Sequence, residues 1–371
     1  MTALTLAPLP LREYHRGSPR SGHDGTVVYD LQTLEGELGM RVALVGAGRI
    51  GTLHGSLVAS QPDVSVVVSD VAEQHAQAAA ARFGGSVAGS FAEAMDEADA
   101  VIIATSTHAH APLVREAVAR GLATFCEKPL AFDVQETYEL LSIIEASDVP
   151  VQVGFQRRFD AAYLEARRLV ETGELGTVYL VRLIAHDHEP PPDDYIPVSG
   201  GLFRDSSIHD LDALRWVTGV EVEEVYAAGS VRGFPIFARY DDVDTAAAIL
   251  RLEDGSLGVL SQTRHDPLGY DIRMEIVGSS DSVAVGLAAR TPLRSLEADA
   301  VAMPGPAWTT FLSRFEAAYR AELLAFLRVA RGEIPSPCTA HDALQAMRIA
   351  VAAGRSRSEQ RPVRLEEIRP D

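Results

Sequence analysis

Three glycines spaced Gly46-x-Gly48-x-x-Gly51, directly after the apolar run Val42-Ala43-Leu44-Val45, restrict what this chain can fold into more than any other feature. Each answers a separate steric demand. Gly46 permits a tight turn, Gly48 lets the backbone approach a pyrophosphate, and Gly51 lets the next helix lie close to the strand it leaves. An amphipathic stretch (Leu53, Leu57, Val58) and a second strand, Val64 to Val68, follow, with an acid, Asp70, at the strand's end. At the helix start, free N–H groups and the positive end of the macrodipole favour an anion. Asp70, nineteen positions after Gly51, is placed to accept hydrogen bonds from ribose hydroxyls. Its charge disfavours a 2′-phosphate, and Ser69-Asp70-Val71 holds no arginine. The fingerprint therefore predicts NAD rather than NADP, with Gly46, Gly48, Arg49, Ile50, Gly51 and Asp70 at the cofactor.

The rest of the composition limits the partners. The chain has 371 residues, of which 47% are hydrophobic and 23% charged, as in an ordinary globular protein of two domains. A net charge of −19 excludes the basic face that nucleic acid or an anionic membrane surface requires. Two cysteines, Cys126 and Cys338, offer neither a disulfide framework nor a thiolate zinc pattern. No apolar run spans a bilayer and no signal-peptide core is evident, so a cytoplasmic protein is expected. Residues 1 to 39, broken by Pro8, Pro10 and Pro19, read as a disordered extension, a mis-assigned start before Met40, or an arm that reaches a neighbouring subunit.

From Arg41 to about Val153, short β-rich runs alternate with helical patterns, which predicts a parallel sheet covered on both faces, a Rossmann domain over 40 to 155. Strands are expected at Ser86 to Ala88, Ala100 to Ile103, Ala123 to Cys126 and Val151 to Val153. Helices are expected at Ala72 to Phe83, Pro112 to Arg120 and Val134 to Ala146. Beyond Gly219, runs at Val222 to Val231, Ala246 to Leu252, Leu257 to Thr263, Ile272 to Val277 and Ser282 to Leu287 follow one another without helices. They predict a mostly antiparallel sheet and an α+β domain over 156 to 365. Glu253-Asp254-Gly255-Ser256 carries a hairpin signal. Late helices at Thr310 to Arg331 and His341 to Gly354 should pack back on the body. The proline run Glu189 to Asp194 reads as a loop suited to substrate contacts.

Three segments carry candidate chemistry. Glu127-Lys128-Pro129 follows the fifth strand, at the carboxyl edge where open α/β sheets bind ligands. There Lys128 either donates to a substrate oxygen and stabilises charge on it or is a solvated lysine that opens a loop. In Asp205-Ser206-Ser207-Ile208-His209, helical spacing puts Asp205 and His209 on one face, as a histidine base oriented by a carboxylate that favours its protonated form. The alternative makes Asp205 an N-cap and His209 a half-buried helix residue. Thr105, Ser106 and His110, after the fourth strand, suit the nicotinamide side of the cofactor or a plain strand-to-helix turn. His186-Asp187-His188-Glu189 suggests a metal pair on a strand, but without a third spaced ligand no metal is assigned.

Together the segments VALVGAGRIG, FCEKPLA, VQVGFQRRFD, FRDSSIHDLDALRW and GYDIRMEIVG resemble the Gfo/Idh/MocA oxidoreductases, in their inositol 2-dehydrogenase branch, over Arg41 to about Leu365. The resemblance implies that Lys128, Asp205 and His209 form the catalytic set. His209 would take a ring-hydroxyl proton while a hydride passes to the nicotinamide, Asp205 would hold His209, and Lys128 would position the reacting oxygen. It also implies that Glu127 and Lys128 border the cofactor, that Arg157 and His186 line a polyol pocket, and that the open sheet forms a homodimer or homotetramer. Asp187-His188 replaces the Arg-Asn pair common after the matched histidine, and Gln156 stands where methionine is frequent. These departures bear on substrate identity. A cyclitol or sugar oxidation, foremost of myo-inositol, is expected. The alternatives are a glycosidase-like reaction with transient use of NAD and a non-catalytic NAD-binding sensor.

Overall fold

The computed structural model describes residues 39–297, 299 and 305–370. The expectations for residues 1 to 39 therefore fall, apart from Gly39, outside the described residues. Strands β1 (Met40–Val45), β2 (Val64–Ser69), β3 (Ser86–Val87), β4 (Ala100–Ile103), β5 (Ala123–Glu127) and β6 (Val151–Gly154) alternate with helices α1 (Arg49–Ala59), α2 (Glu73–Phe83), α3 (Phe91–Asp96), α4 (Thr107–Ala119) and α5 (Val134–Glu145). The strands are all parallel in the order β3-β2-β1-β4-β5-β6, the doubly wound arrangement whose order reverses beside β1. Val42 to Val45 and Ala100 to Ile103 are fully enclosed, which is why they read as unbroken apolar runs. One helix starts earlier than its sequence pattern suggested. Pro112 reads as a first helical residue, yet α4 extends back to Thr107 and holds Pro112 inside it.

The second sheet comprises β7 (Val178–His186), β8 (Val222–Ser230), β9 (Thr245–Leu252), β10 (Leu257–Thr263), β11 (Asp271–Gly278), β12 (Ser282–Val285) and β13 (Val363–Arg364), in the order β12-β11-β7-β10-β9-β8-β13. Only β7 and β10 run parallel among its pairs. Sequence reading placed His186 on a strand but did not pick out the rest of β7, nor the helix before it, α6 (Ala161–Glu171). The hairpin between β9 and β10 turns at Gly255, whose φ of +87° suits glycine, and Asp254 accepts from both Ser256 N and Ser256 Oγ.

Helices α6, α7 (Ile208–Thr218), α8 (Phe311–Arg314), α9 (Glu316–Ala330) and α10 (Ala340–Glu359) complete the chain. Alternation in β9 sends Ala246, Ala248, Leu250 and Leu252 into a core shared with Leu211 and Leu214 of α7 and with Ile349 and Ala353 of α10. The opposite sheet face stays open, where Tyr226, Ile249 and Val259 stand in register and exposed. Leu323, Phe326 and Leu327 of α9 pack into the same cluster as Val42, Leu44, Ile102 and Phe125 of the first sheet. Ala343 and Ala346 of α10 join Val101, Cys126 and Val153 on its other side. Among the described residues no helix is long and apolar enough to cross a membrane.

Candidate active site

The glycine turn meets its steric demands locally. A Cβ on Gly46 would lie 2.6 Å from the Ala104 carbonyl oxygen, and one on Gly51 would lie 2.0 Å from the Gly46 oxygen. Neither position tolerates a side chain. A Cβ on Gly48 would meet nothing within 4 Å, so the backbone there faces open space, as a pyrophosphate would need. Gly48 is also the N-cap of α1 and provides no side-chain cap, leaving the first N–H groups free for an anion. Asp70 is fixed beside this turn by Ala47 N at 2.7 Å and Ala72 N at 2.8 Å. The residues present fit a dinucleotide.

The neighbouring loops differ in what they present. Thr105 is half-buried and Ser106 exposed, at the end of β4. His110 is corrected as a cofactor contact: it is buried, with Nδ1 2.7 Å from the Pro129 carbonyl and Nε2 3.2 Å from the Thr105 carbonyl. Burial lowers its pKa, and the ring ties two loops together. Arg49 lies over the Phe311 ring at 4.8 Å, and Ile50 packs against the core of the second domain.

Lys128, Asp205 and His209 come together where the loop after β5 meets the start of α7. The turn before α7, over Phe203–Ser207, is π-helical, a widening frequent at functional sites. Gln262 of β10 secures it, accepting from Ser207 Oγ at 3.1 Å and donating to Ser206 Oγ at 2.6 Å. Lys128 Nζ donates to the Asp205 main-chain carbonyl at 2.6 Å. The Asp205 carboxylate accepts from the Tyr195 hydroxyl at 2.9 Å and pairs with Arg264 at 2.9 Å and Lys128 at 3.6 Å. Burial would raise its pKa, but Arg264, Lys128 and Tyr195 hold it below the usual value.

This geometry corrects the expected Asp205–His209 contact. The wide turn displaces the two residues from the i,i+4 alignment of an α-helix, and the carboxylate serves Tyr195, Arg264 and Lys128 instead. His209 makes no hydrogen bond among the described residues, and its Nδ1 is enclosed without a partner. Nor does Asp205 cap α7, whose N-cap is Ser207. The imidazole is not pushed toward its protonated form. Burial first, then the charges of Lys128 and Arg157, hold it well below the usual histidine value.

Arg157 also departs from its expected place as a pocket lining. It is buried and pairs with Asp210 of α7, so it acts on His209 through its charge. The adjacent Arg158 binds Asp212 through two hydrogen bonds of 2.8 and 2.6 Å. Gln156 is likewise buried, its Oε1 without a partner among the described residues. His186 closes β7, with Nε2 3.0 Å from Ser261 Oγ and Nδ1 3.7 Å from Asp266. Among the described residues one trio, His186, Asp266 and Asp271, offers ligand atoms within 4.8 Å of one another. Asp271 there is already held by Arg273 through both oxygens. His188, the other histidine of the sequence cluster, meets the Asp266 carbonyl instead.

Two site residues were missed in the sequence. Tyr195 sits just past the proline run. Arg264 directly follows β10 and reaches Asp187 at 3.5 Å as well as Asp205; no local pattern marks it.

Comparison with known proteins identifies the family. Residues 40–155 match the family model for the oxidoreductase family with an NAD-binding Rossmann fold, and residues 163–284 match the GFO/IDH/MocA C-terminal domain. Myo-inositol dehydrogenase Hyg17 of Streptomyces leeuwenhoekii is 39% identical over 85% of this chain and 97% of its own length. A probable dehydrogenase structure from Thermotoga maritima superposes with a TM-score of 0.83 at 32% identity, covering 89% of this chain and all of that one. Scyllo-inositol dehydrogenase from Lactobacillus casei, with bound NAD(H) and scyllo-inositol, gives 0.79 at 27% identity over 88% of this chain and 99% of its own. With both domains matched and the nucleotide turn intact, the chain belongs to the Gfo/Idh/MocA oxidoreductases and carries that family's NAD-binding Rossmann domain.

Proposed function

We propose that this chain oxidises a secondary ring hydroxyl of a cyclitol or sugar, with NAD as the oxidant and myo-inositol as the foremost substrate. The observation that carries this reading is the meeting of Lys128, Asp205 and a neutral His209 at the carboxyl end of β5. Oxidation of such an alcohol removes a hydride from carbon and a proton from oxygen, leaving a ketone. NAD supplies the hydride acceptor when bound, held by Gly46, Gly48, Arg49, Ile50, Gly51, Asp70, Thr105, Ser106, Glu127 and Lys128. His209, free of a proton at neutral pH, takes the hydroxyl proton. Lys128 spends one N–H on the Asp205 carbonyl and directs another to the reacting oxygen, where it stabilises negative charge. Asp205 holds Lys128 at that place. Relatives named for myo- and scyllo-inositol support the substrate class.

The open sheet face with Tyr226, Ile249 and Val259 suits a homodimer or homotetramer, since a monomer rarely leaves such an apolar face uncovered. Cys126 and Cys338, both buried and free, suit a reducing cytoplasm.

The test is incubation with NAD and a panel of inositol isomers, sugars and nitrophenyl glycosides, following reduced nicotinamide and released nitrophenol together. Accumulation of NADH with one cyclitol or sugar is the expected result. Nitrophenol release without NADH would replace the reading with a glycosidase-like reaction, and silence in both channels with a cofactor-binding sensor.

A further inference from the structure

Arg264 is nearly fully buried and stands between two carboxylates from different elements. Asp205 comes from the π-helical turn and lies 2.9 Å away, while Asp187, the residue after β7, lies 3.5 Å away. A buried guanidinium needs at least one anion, and two anions around one cation leave one of them undercompensated. We propose that Arg264 is a positioning residue for the oxidation: it fixes the Asp205 carboxylate that holds Lys128, and Asp187 competes with Asp205 for it. This rests on the reading of Lys128, Asp205 and His209 given above.

The surroundings favour Asp187 as the undercompensated partner. Asp205 also has the Tyr195 hydroxyl and Lys128, whereas Asp187 has Arg264 alone at hydrogen-bond range. The groups facing Asp187 are Arg264 from the loop after β10, Asp205 from the turn before α7, Lys128 from the loop after β5 and Tyr270 from the approach to β11; Asp242 acts on Arg264. Burial, with Asp205 adding to it against the pull of Arg264 and Lys128, lifts Asp187 to about 6. Below that pH Asp187 is neutral and Arg264 serves Asp205 alone. Above it, the two carboxylates share one guanidinium.

The experiment compares wild type with Arg264→Gln, Arg264→Lys and Asp187→Asn in two measurements. The first is kcat and KM from pH 5 to 9 with the polyol that wild type turns over. Arg264→Gln should lower kcat on the order of 10²-fold through misplacement of Asp205 and Lys128 and be partly rescued by Arg264→Lys. Asp187→Asn should remove the ionisation near pH 6 from the rate profile. The second measurement is melting temperature against pH without substrate. Because the folded-state pKa of Asp187 is raised, stability falls as pH rises from about 4 to 6. Asp187→Asn should abolish that part of the fall, and Arg264→Gln should shift its upper end to higher pH.

Wild-type kcat and pH profile in Arg264→Gln would overturn the positioning role, and unchanged melting profiles in both substitutions would overturn the competition of Asp187 with Asp205 for Arg264. Failure of wild type to oxidise any polyol, with the melting profiles as expected, would overturn the assigned reaction and leave the Asp187–Arg264 coupling standing.

Discussion

The ammonium of Lys128 meets Asp205 twice, donating to its main-chain carbonyl at 2.6 Å and lying 3.6 Å from its carboxylate. One side chain thereby joins the loop after β5 to the turn that leads into the helix carrying His209. Lys128→Ala removes both links and the cation facing the reacting oxygen. It should lower kcat on the order of 10²–10³-fold while the melting temperature stays close to wild type, as steady-state kinetics and thermal denaturation will show.

Removing the same charge should also move a pH profile. Lys128 is among the causes that keep the His209 pKa low, so without it the imidazole protonates more readily. A base is lost as pH falls through its pKa; the acid limb of kcat/KM should therefore shift to higher pH in Lys128→Met. His209→Ala should lose about 10²–10⁴-fold in kcat/KM, with the acid limb gone.

Asp70→Asn tests the cofactor preference. The residue keeps a place beside the glycine turn but loses the charge that disfavours a 2′-phosphate. Loss of a charged hydrogen-bond acceptor is worth about 1.5–3 kcal/mol, so NAD affinity should fall on the order of 10- to 100-fold. NADP should fall less, and titration calorimetry with both cofactors measures the difference.

Arg158→Ala leaves Asp212, itself only 1% exposed, as an uncompensated buried charge. Such a break costs about 3–5 kcal/mol, readable as a lower urea midpoint. Because the pair joins the segment after β6 to α7 away from Lys128, the folded fraction should keep its affinity for NAD.

Glu322 of α9 is fully buried, and neither carboxylate oxygen has a partner among the described residues. Burial and then Glu127 raise its pKa well above the usual value. The folded state thus holds a proton that the unfolded state gives up, so this group lowers stability as pH rises above the ordinary carboxyl range. Glu322→Gln mimics the neutral acid. Its melting temperature should match wild type near pH 5 and exceed it at pH 8.

The parts legible in the sequence are those written as local periodicity or sterics. Val42 to Val45 and Ala100 to Ile103 read as strands because both of their faces are covered, and the glycine turn read as a nucleotide site because each glycine answers a local demand. What escaped is set by contacts between distant elements. Arg157 and Arg158 look like a polar doublet, yet Asp210 and Asp212 neutralise them and take both inside. The spacing of Asp205 and His209 suits an α-helix, and only Gln262 on a later strand shows how the turn between them is held wide. Arg264 has no local signature, because its partners lie on two other segments.

The packing of Leu323, Phe326 and Leu327 against Val42, Leu44 and Phe125 bears on how the protein is made. The nucleotide-binding sheet is synthesised first, but one of its faces is finished by a helix near the chain's other end. During translation that face is covered only by α1 and α2, through Val58, Ala76, Ala79 and Ala80, until α9 has left the ribosome. A chain that stops short of α9 would carry every glycine of the nucleotide turn and still lack the wall behind it.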